Sequence, residues 1–286
     1  MIARFLLAVL MVATVPGGTT TSATSINLQG ADLHYSVLGS GEPVVVFEAG
    51  LGDGRHSWEA VARQLSSQAT VVIYDRPGYG GTPFSDPTFD GDRDGRTGDE
   101  VATALRAMLE RANLEGPYIL VGHSIGGLYV QSFARRYPDR TAGLVLVDSR
   151  PPLFSQRCAE VGAGLCELPR LVRMLMDPHV RAELNGAEAT MADLADPAQL
   201  GNLPVTVIVS TRPFVGASSQ FQQLWMDEQQ RFAAAVDNGR YVEASRSRHY
   251  IQRDQPDLVI AEIRAMIGRA RASHEATVVK VHIAPI

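Results

Sequence analysis

The chain has 286 residues, 45% of them hydrophobic and 20% charged, with a formal net charge of -5. That length buries a full core without staples, and 26 glycines and 16 prolines with no fixed-period repeat exclude low-complexity and solenoid architectures. The acidic balance and the scatter of the basic residues exclude nucleic acid as a partner, and Lys280, the only lysine, lies too near the end for a phosphate loop or a buried Schiff base.

Residues 1–25 read as an export signal. Arg4 supplies the positive charge, residues 5–15 are apolar apart from Thr14, and residues 16–25 are small and polar. The apolar run is short for a membrane span. The expectation is therefore a secreted or periplasmic protein with no membrane contact beyond export, an N-terminal tether being the alternative. In an oxidising compartment Cys158 and Cys166 close a short loop as a disulfide; two buried thiols are the competing expectation.

Residues 26–286 read as one α/β domain. Residues 26–38 form a strand or hairpin. Residues 44–47, wholly apolar and valine-rich, are a strand buried on both faces, and 50–54 a glycine turn. Helical spacing over 58–65 is followed by a second buried strand, 70–74, and by a turn rich in proline and glycine, 75–81. Residues 84–98 are a polar loop. Thr97 and Glu100 then form a capping box for a helix carrying Val101, Leu105, Met108, Leu109 and Ala112 on one face. A third buried strand over 118–121, a helix over 126–137 stopped by Pro138, and a fourth strand over 144–147 continue the alternation, which predicts a parallel sheet covered on both faces.

The rhythm stops over 151–203, an insertion long enough to be a lid. Leu165, Leu168, Leu171, Met174, Leu175 and Met176 give it an apolar surface, either to cover an acyl chain or to pack on the domain. The rhythm resumes with a strand over 205–209, a helix over 220–236, a strand over 241–244 and a helix over 256–271. Residues 276–286 read as an extra strand or a disordered tail.

The segment that carries chemistry is Gly122-His123-Ser124-Ile125-Gly126, a G-x-S-x-G pattern where the strand over 118–121 meets the next helix. A serine at that sharp turn is lifted out of the sheet, and side chains in place of the flanking glycines would strike the neighbouring strand and helix. A serine hydroxyl is a poor nucleophile and needs a base. Of the seven histidines, His123 points away from the serine, His34 precedes the sheet core, His179 lies in the lid, and His274 and His282 lie in the tail. His56, near the glycine turn, is placed to touch substrate. His249, between the last strand and the last helix at the carboxyl edge of the sheet, is the predicted base. A tetrahedral intermediate also needs two backbone donors. Ile125, after the nucleophile, supplies one, and Leu51, with Gly50 as neighbour, the other.

The chain from about 26 to 271 resembles the α/β-hydrolase fold family of serine hydrolases and esterases. The matching segments are Phe47-Glu48-Ala49-Gly50-Leu51-Gly52, Asp75-Arg76-Pro77-Gly78-Tyr79-Gly80, Gly122-His123-Ser124-Ile125-Gly126-Gly127 and Ser247-Arg248-His249-Tyr250-Ile251. The resemblance implies a mostly parallel central sheet with helices on both faces, a small helical lid inserted between strands, a triad in the order Ser, acid, His, and no cofactor. Many relatives carry His-Gly where this chain has Ala49-Gly50, a swap that leaves the backbone donors in place. The usual acid follows the strand that here is 205–209, but Ser210-Thr211-Arg212-Pro213 contains no carboxylate. In some members the acid follows the preceding strand, which here leads to Asp148. Asp148 is therefore the favoured acid, with Asp227 and Glu228 as alternatives.

The resulting expectation is an exported serine hydrolase that cleaves a small-molecule carboxylic ester or lactone through an acyl-enzyme, with no metal and no cofactor. The alternatives are a non-catalytic small-ligand binding protein on the same fold and a hydrolase acting on amide or carbon–carbon bonds. A dinucleotide reading fails because Arg55 stands at the third glycine position of the fingerprint, and His274-Glu275 lacks the second histidine of a zinc motif.

Overall fold

The computed structural model describes residues 24–28, 31–83, 95–163, 166–214 and 216–283. The predicted export signal lies outside them apart from Thr24 and Ser25, as do most of the polar loop over 84–98 and Leu165. Among the described residues one sheet is built from β1 (Thr24–Leu28), β2 (Ala31–Leu38), β3 (Val44–Glu48), β4 (Thr70–Tyr74), β5 (Tyr118–His123), β6 (Thr141–Val147), β7 (Val205–Ser210) and β8 (Gly239–Ala244). Their order is β1-β2-β4-β3-β5-β6-β7-β8. The pairs β1–β2 and β2–β4 are antiparallel and all the others parallel. Thr24 and Ser25 already pair with Tyr35 and His34, so the sheet begins just before residue 26.

The helices are α1 (Glu59–Leu65), α2 (Gly98–Arg111), α3 (Ile125–Arg136), α4 (Phe154–Val161), α5 (Arg170–Arg173), α6 (Pro178–Asp193), α7 (Ser219–Ala235), α8 (Ile251–Asp254) and α9 (Pro256–Ile283). Successive strand residues enter opposite cores because side chains alternate across a sheet. Val44 and Val46 join one cluster with Leu120, Leu144 and Val207, covered by α2, α3, α4 and α7. Val45 and Phe47 join the other with Val71, Ile119 and Val145, covered by α1 and α9. Both faces being covered, the strands read as continuous apolar runs. The capping box is present: Thr97 Oγ1 accepts from Glu100 N, and Glu100 Oε2 accepts from Thr97 N at 2.7 Å.

The tail departs from expectation. The β-branched residues after 276 suited a strand, but α9 runs on through them to Ile283. Extending a formed helix costs far less than nucleating a new element, which outweighs a weak local preference.

The insertion between β6 and β7 is helical, as expected, and its two halves differ. In the first, Cys158 near the end of α4 is bonded to Cys166, with a Cα–Cα distance of 5.6 Å. Beyond it, Leu171, Met174 and Leu175 are 72%, 61% and 83% exposed, so packing on the domain does not account for these three. The second half, α6, sends the fully buried Glu183 into the molecule. Among the described residues no helix is long and apolar enough to cross a membrane.

Candidate active site

Ser124 joins β5 to α3 with φ 55° and ψ -123°, in the left-handed half of backbone space that a side chain enters only when its surroundings force it. The flanking glycines permit the turn by close approach. A Cβ at Gly122 would lie 2.6 Å from the Gly126 carbonyl, and one at Gly126 would lie 2.5 Å from the Ala49 carbonyl. The serine is thereby held at the carboxyl edge of the sheet, above the N-terminus of α3.

His249 follows β8 and reaches Ser124 from the side. Its Nε2 lies 3.0 Å from Ser124 Oγ and its Nδ1 lies 2.8 Å from Asp148 Oδ2. Asp148 stands directly after β6, fully buried, with φ 43°. Asp227 instead accepts from Gln223, and Glu228 pairs with Arg231. His56 is exposed on the 3-10 turn before α1.

Short hydrogen bonds hold the Asp148 carboxylate. Ser210 contributes its backbone N–H to Oδ1 and its hydroxyl to Oδ2, both at 2.9 Å, and Trp225 Nε1 donates to Oδ1 at 3.1 Å. The histidine Nδ1–H completes the set. Ser210 occupies the strand end where the resemblance implies a carboxylate, and it donates instead to Asp148 on the neighbouring strand. The His123 Nε2 lies 2.9 Å from the His249 carbonyl. Burial, and secondarily the nearby His249, lower the His123 pKa well below the usual histidine value, so its ring stays neutral. Tyr250 packs on His123 with ring centroids 5.0 Å apart, and burial with neighbouring Asp53 pushes its phenol up to about 12.

The glycine turn after β3 lies against the elbow. A Cβ added to Gly50 would sit 3.4 Å from Ser124 Cβ, and Leu51 packs against the apolar cluster that contains Ile125. Behind the turn is a set of buried charges. Arg76, after β4, donates to Glu48 Oε1 at 2.6 Å, to the Ala49 carbonyl at 2.7 Å and to the Gly50 carbonyl at 2.9 Å. From α6, Glu183 accepts from Arg76 Nε at 2.7 Å and from Tyr79 Oη at 3.0 Å. Arg96 completes the set on Glu183 at 3.3 Å, giving two cations and two carboxylates in the interior. Burial pushes the Glu48 carboxyl up, and Arg76 opposes that shift. Removing one member of such a set typically costs about 3–5 kcal/mol, since its partner is left buried and uncompensated.

Comparison with known proteins agrees with this architecture. A family model described as alpha/beta hydrolase fold matches residues 43–165, from β3 through the end of α4 and the disulfide loop. A solved thermophilic esterase from Thermogutta terrifontis superposes with a TM-score of 0.64 at 21% identity, covering 87% of this chain and 99% of that one. The chain has the α/β-hydrolase fold. The chain is also similar to the Bacillus subtilis (strain 168) uncharacterized protein YqjL, 26% identical over 225 residues, covering 77% of this chain and 82% of that protein. A Klebsiella pneumoniae (strain 342) pimeloyl-[acyl-carrier protein] methyl ester esterase is 30% identical over 122 residues, 42% of each chain. Thus the alignment spans well under half the length of that esterase.

Several residues near Ser124 escape sequence reading. Ser210, Trp225 and Glu183 act through contacts between distant segments and lie in no spaced motif, while Arg76 lies in the segment over 75–80 that carries the resemblance but its partners do not show there. An aromatic wall also emerges beside the histidine: the Phe214 ring lies 4.8 Å from His249 and 5.1 Å from Trp225, which packs on Phe154. Among the described residues no group of three or more His, Cys, Asp or Glu side chains is arranged to hold a metal ion.

Proposed function

We propose that the chain is an exported serine hydrolase that cleaves a small carboxylic ester or lactone. The observation that carries this reading is the unbroken chain of polar contacts from Ser124 Oγ through His249 to Asp148, at 3.0 and 2.8 Å. With Nδ1–H donated to Asp148, Nε2 is left with a lone pair facing the serine hydroxyl, the tautomer a general base requires. Ser124 Oγ attacks the carbonyl carbon as its proton passes to His249 Nε2, and Asp148 stabilises the imidazolium. The negative charge that develops on the carbonyl oxygen falls to the backbone N–H groups of Leu51 and Ile125. Collapse breaks the bond to the leaving alkoxide, which takes the proton from His249. Water, deprotonated by the same nitrogen, then hydrolyses the acyl-enzyme.

The ester preference draws on the esterases among the similar proteins and on the apolar and aromatic walls around Ser124. Export is supported by the N-terminal pattern and by the Cys158–Cys166 bridge, a feature of oxidising compartments. The test is a panel of esters and lactones of graded acyl length on purified protein, with Ser124→Ala as control. Turnover that vanishes in the variant supports the reading. A panel without turnover, alongside cleavage of amides or carbon–carbon bonds, would replace the substrate class and keep the nucleophile.

A further inference from the structure

The direction of a peptide N–H is fixed by where its carbonyl points, because a trans peptide is planar and carries the two groups on opposite sides. The carbonyl oxygens of Ala49 and Gly50 both point at one guanidinium, receiving Arg76 Nη1 at 2.7 Å and Nη2 at 2.9 Å. The N–H groups of Gly50 and Leu51 therefore point away from Arg76. The same turn lies against the elbow, since a Cβ on Gly50 would come 3.4 Å from Ser124 Cβ. Were the Gly50–Leu51 peptide to rotate by half a turn, a carbonyl oxygen would replace a donor, and the site would repel a developing oxyanion.

Arg76 is fixed in turn from the inserted segment. Glu183 on α6 accepts from Arg76 Nε at 2.7 Å and Nη2 at 3.0 Å, while Glu48 at the end of β3 takes Nη1. The guanidinium also lies over the rings of Tyr79 and Tyr129, 4.8 and 5.4 Å from their centroids. A second path runs in parallel: Tyr79 Oη donates to Glu183 Oε2 at 3.0 Å and accepts from Gly52 N at 3.3 Å. Both paths start at one buried carboxylate on the insertion and end on the turn that carries Leu51. A planar fork with several donors makes this bridge; a lysine, a single point charge, does not.

We propose that Arg76 and Glu183 are positioning residues for the oxyanion turn: the Glu183 carboxylate of the inserted helix orients Arg76, and Arg76 orients the Gly50–Leu51 peptide toward the reacting carbonyl oxygen. This rests on the serine-hydrolase reading of Ser124. The seating of α6 and the rate of the chemical step are then linked, although α6 contributes nothing to the Ser124–His249–Asp148 chain.

The experiment compares wild type, Arg76→Lys and Tyr79→Phe on the best ester of the panel. It measures kcat and KM, the pH dependence of kcat/KM, and inhibition by a methyl trifluoromethyl ketone, whose adduct with serine carries an oxyanion. Circular dichroism and the thermal midpoint report folding. Removing an oxyanion donor outright costs about 100- to 1,000-fold in kcat, so misaiming one by Arg76→Lys is expected to cost about 10- to 100-fold, with KM within about threefold. The ketone should lose affinity by the same factor as kcat/KM, and the pH profile should keep its shape because the base is untouched. Tyr79→Phe retains every charge of the network and is expected to lower kcat about threefold to tenfold by loss of one or two hydrogen bonds. If Arg76→Lys does not fold, Tyr79→Phe decides.

Folded variants with kcat near the wild-type value overturn the proposal, as does a fall in kcat with ketone affinity unchanged. A wild-type protein with no Ser124-dependent turnover and no labelling by a fluorophosphonate overturns the hydrolase reading first, and this proposal with it.

Discussion

The two flanks of Ser124 are held by different physics. On the base flank, Asp148, Ser210 and His249 all stand at or just beyond the carboxyl ends of adjacent strands β6, β7 and β8, and a single carboxylate is satisfied by short hydrogen bonds. On the opposite flank the glycine turn has no sheet neighbour of its own. It is braced by buried charges, Arg76 with Glu48 and Glu183, one of them supplied by the insertion. On the proposed mechanism the base flank is part of the sheet, whereas the flank assigned the oxyanion donors is braced from the insertion. Disturbing α6 should therefore slow the chemistry without altering the proton-transfer machinery.

The largest separation between the flanks is expected from Asp148→Asn. Asparagine tolerates the positive φ of this position, so the backbone is preserved, but the amide no longer holds the His249 tautomer. Turnover should fall by about four orders of magnitude with the thermal midpoint little changed. Near-normal turnover would remove Asp148 from the acid role. Arg76→Lys, the matching lesion on the other flank, follows with its smaller loss. Ser210→Ala removes one hydrogen bond to Asp148 and should cost about fivefold in kcat, the equivalent of about 1 kcal/mol. An effect as large as that of Asp148→Asn would mean that Ser210, rather than the carboxylate, is the critical group.

Two weaker perturbations sharpen the contrast within the insertion. Paired Cys158→Ser and Cys166→Ser substitutions loosen the half remote from Arg76 and should lower stability by about 2.5 kcal/mol, read by urea unfolding. Steady-state kcat should stay close to wild type, and a loss comparable to that of Arg76→Lys would show that the two halves act as one. The smallest expected effect is on pH dependence. Because His123 is held neutral in the folded protein, the unfolded chain alone takes its proton as pH falls below about 6.5. This contribution leaves stability intact above that pH and erodes it below, so His123→Gln should flatten the fall of thermal midpoint between neutral and mildly acidic pH.

What the sequence made legible was what local chemistry dictates. The runs of valine in β3 and β4 are apolar on every residue because both faces of the sheet are covered. The spacing of Gly122, Ser124 and Gly126 is required by the steric limits of the elbow. His249 is legible by elimination among the histidines as the candidate base, and Asp148 as the candidate acid only through the resemblance, since the residues after β7 contain no carboxylate. Arg76 stands in the segment over 75–80 that carries the resemblance, but its pairing with Glu183, 107 residues away, forms through tertiary structure alone and leaves no period or spacing to read. Ser210 is not legible in the sequence because a hydroxyl at the usual acid position reads as an absence, while in the fold it donates to Asp148 on the neighbouring strand. The end of α9 was missed because a β-branched stretch suggests a strand until the helix that precedes it is taken into account.

Everything proposed for this site turns on Ser124 acting as the nucleophile of acyl transfer. The most direct measurement is labelling of wild-type protein and Ser124→Ala by a fluorophosphonate, with the modified residue located by peptide mass analysis. Rapid, stoichiometric modification of Ser124 is expected in the wild type and none in the variant. Absence of labelling in folded wild type, or equal labelling of the variant, would contradict that role for Ser124.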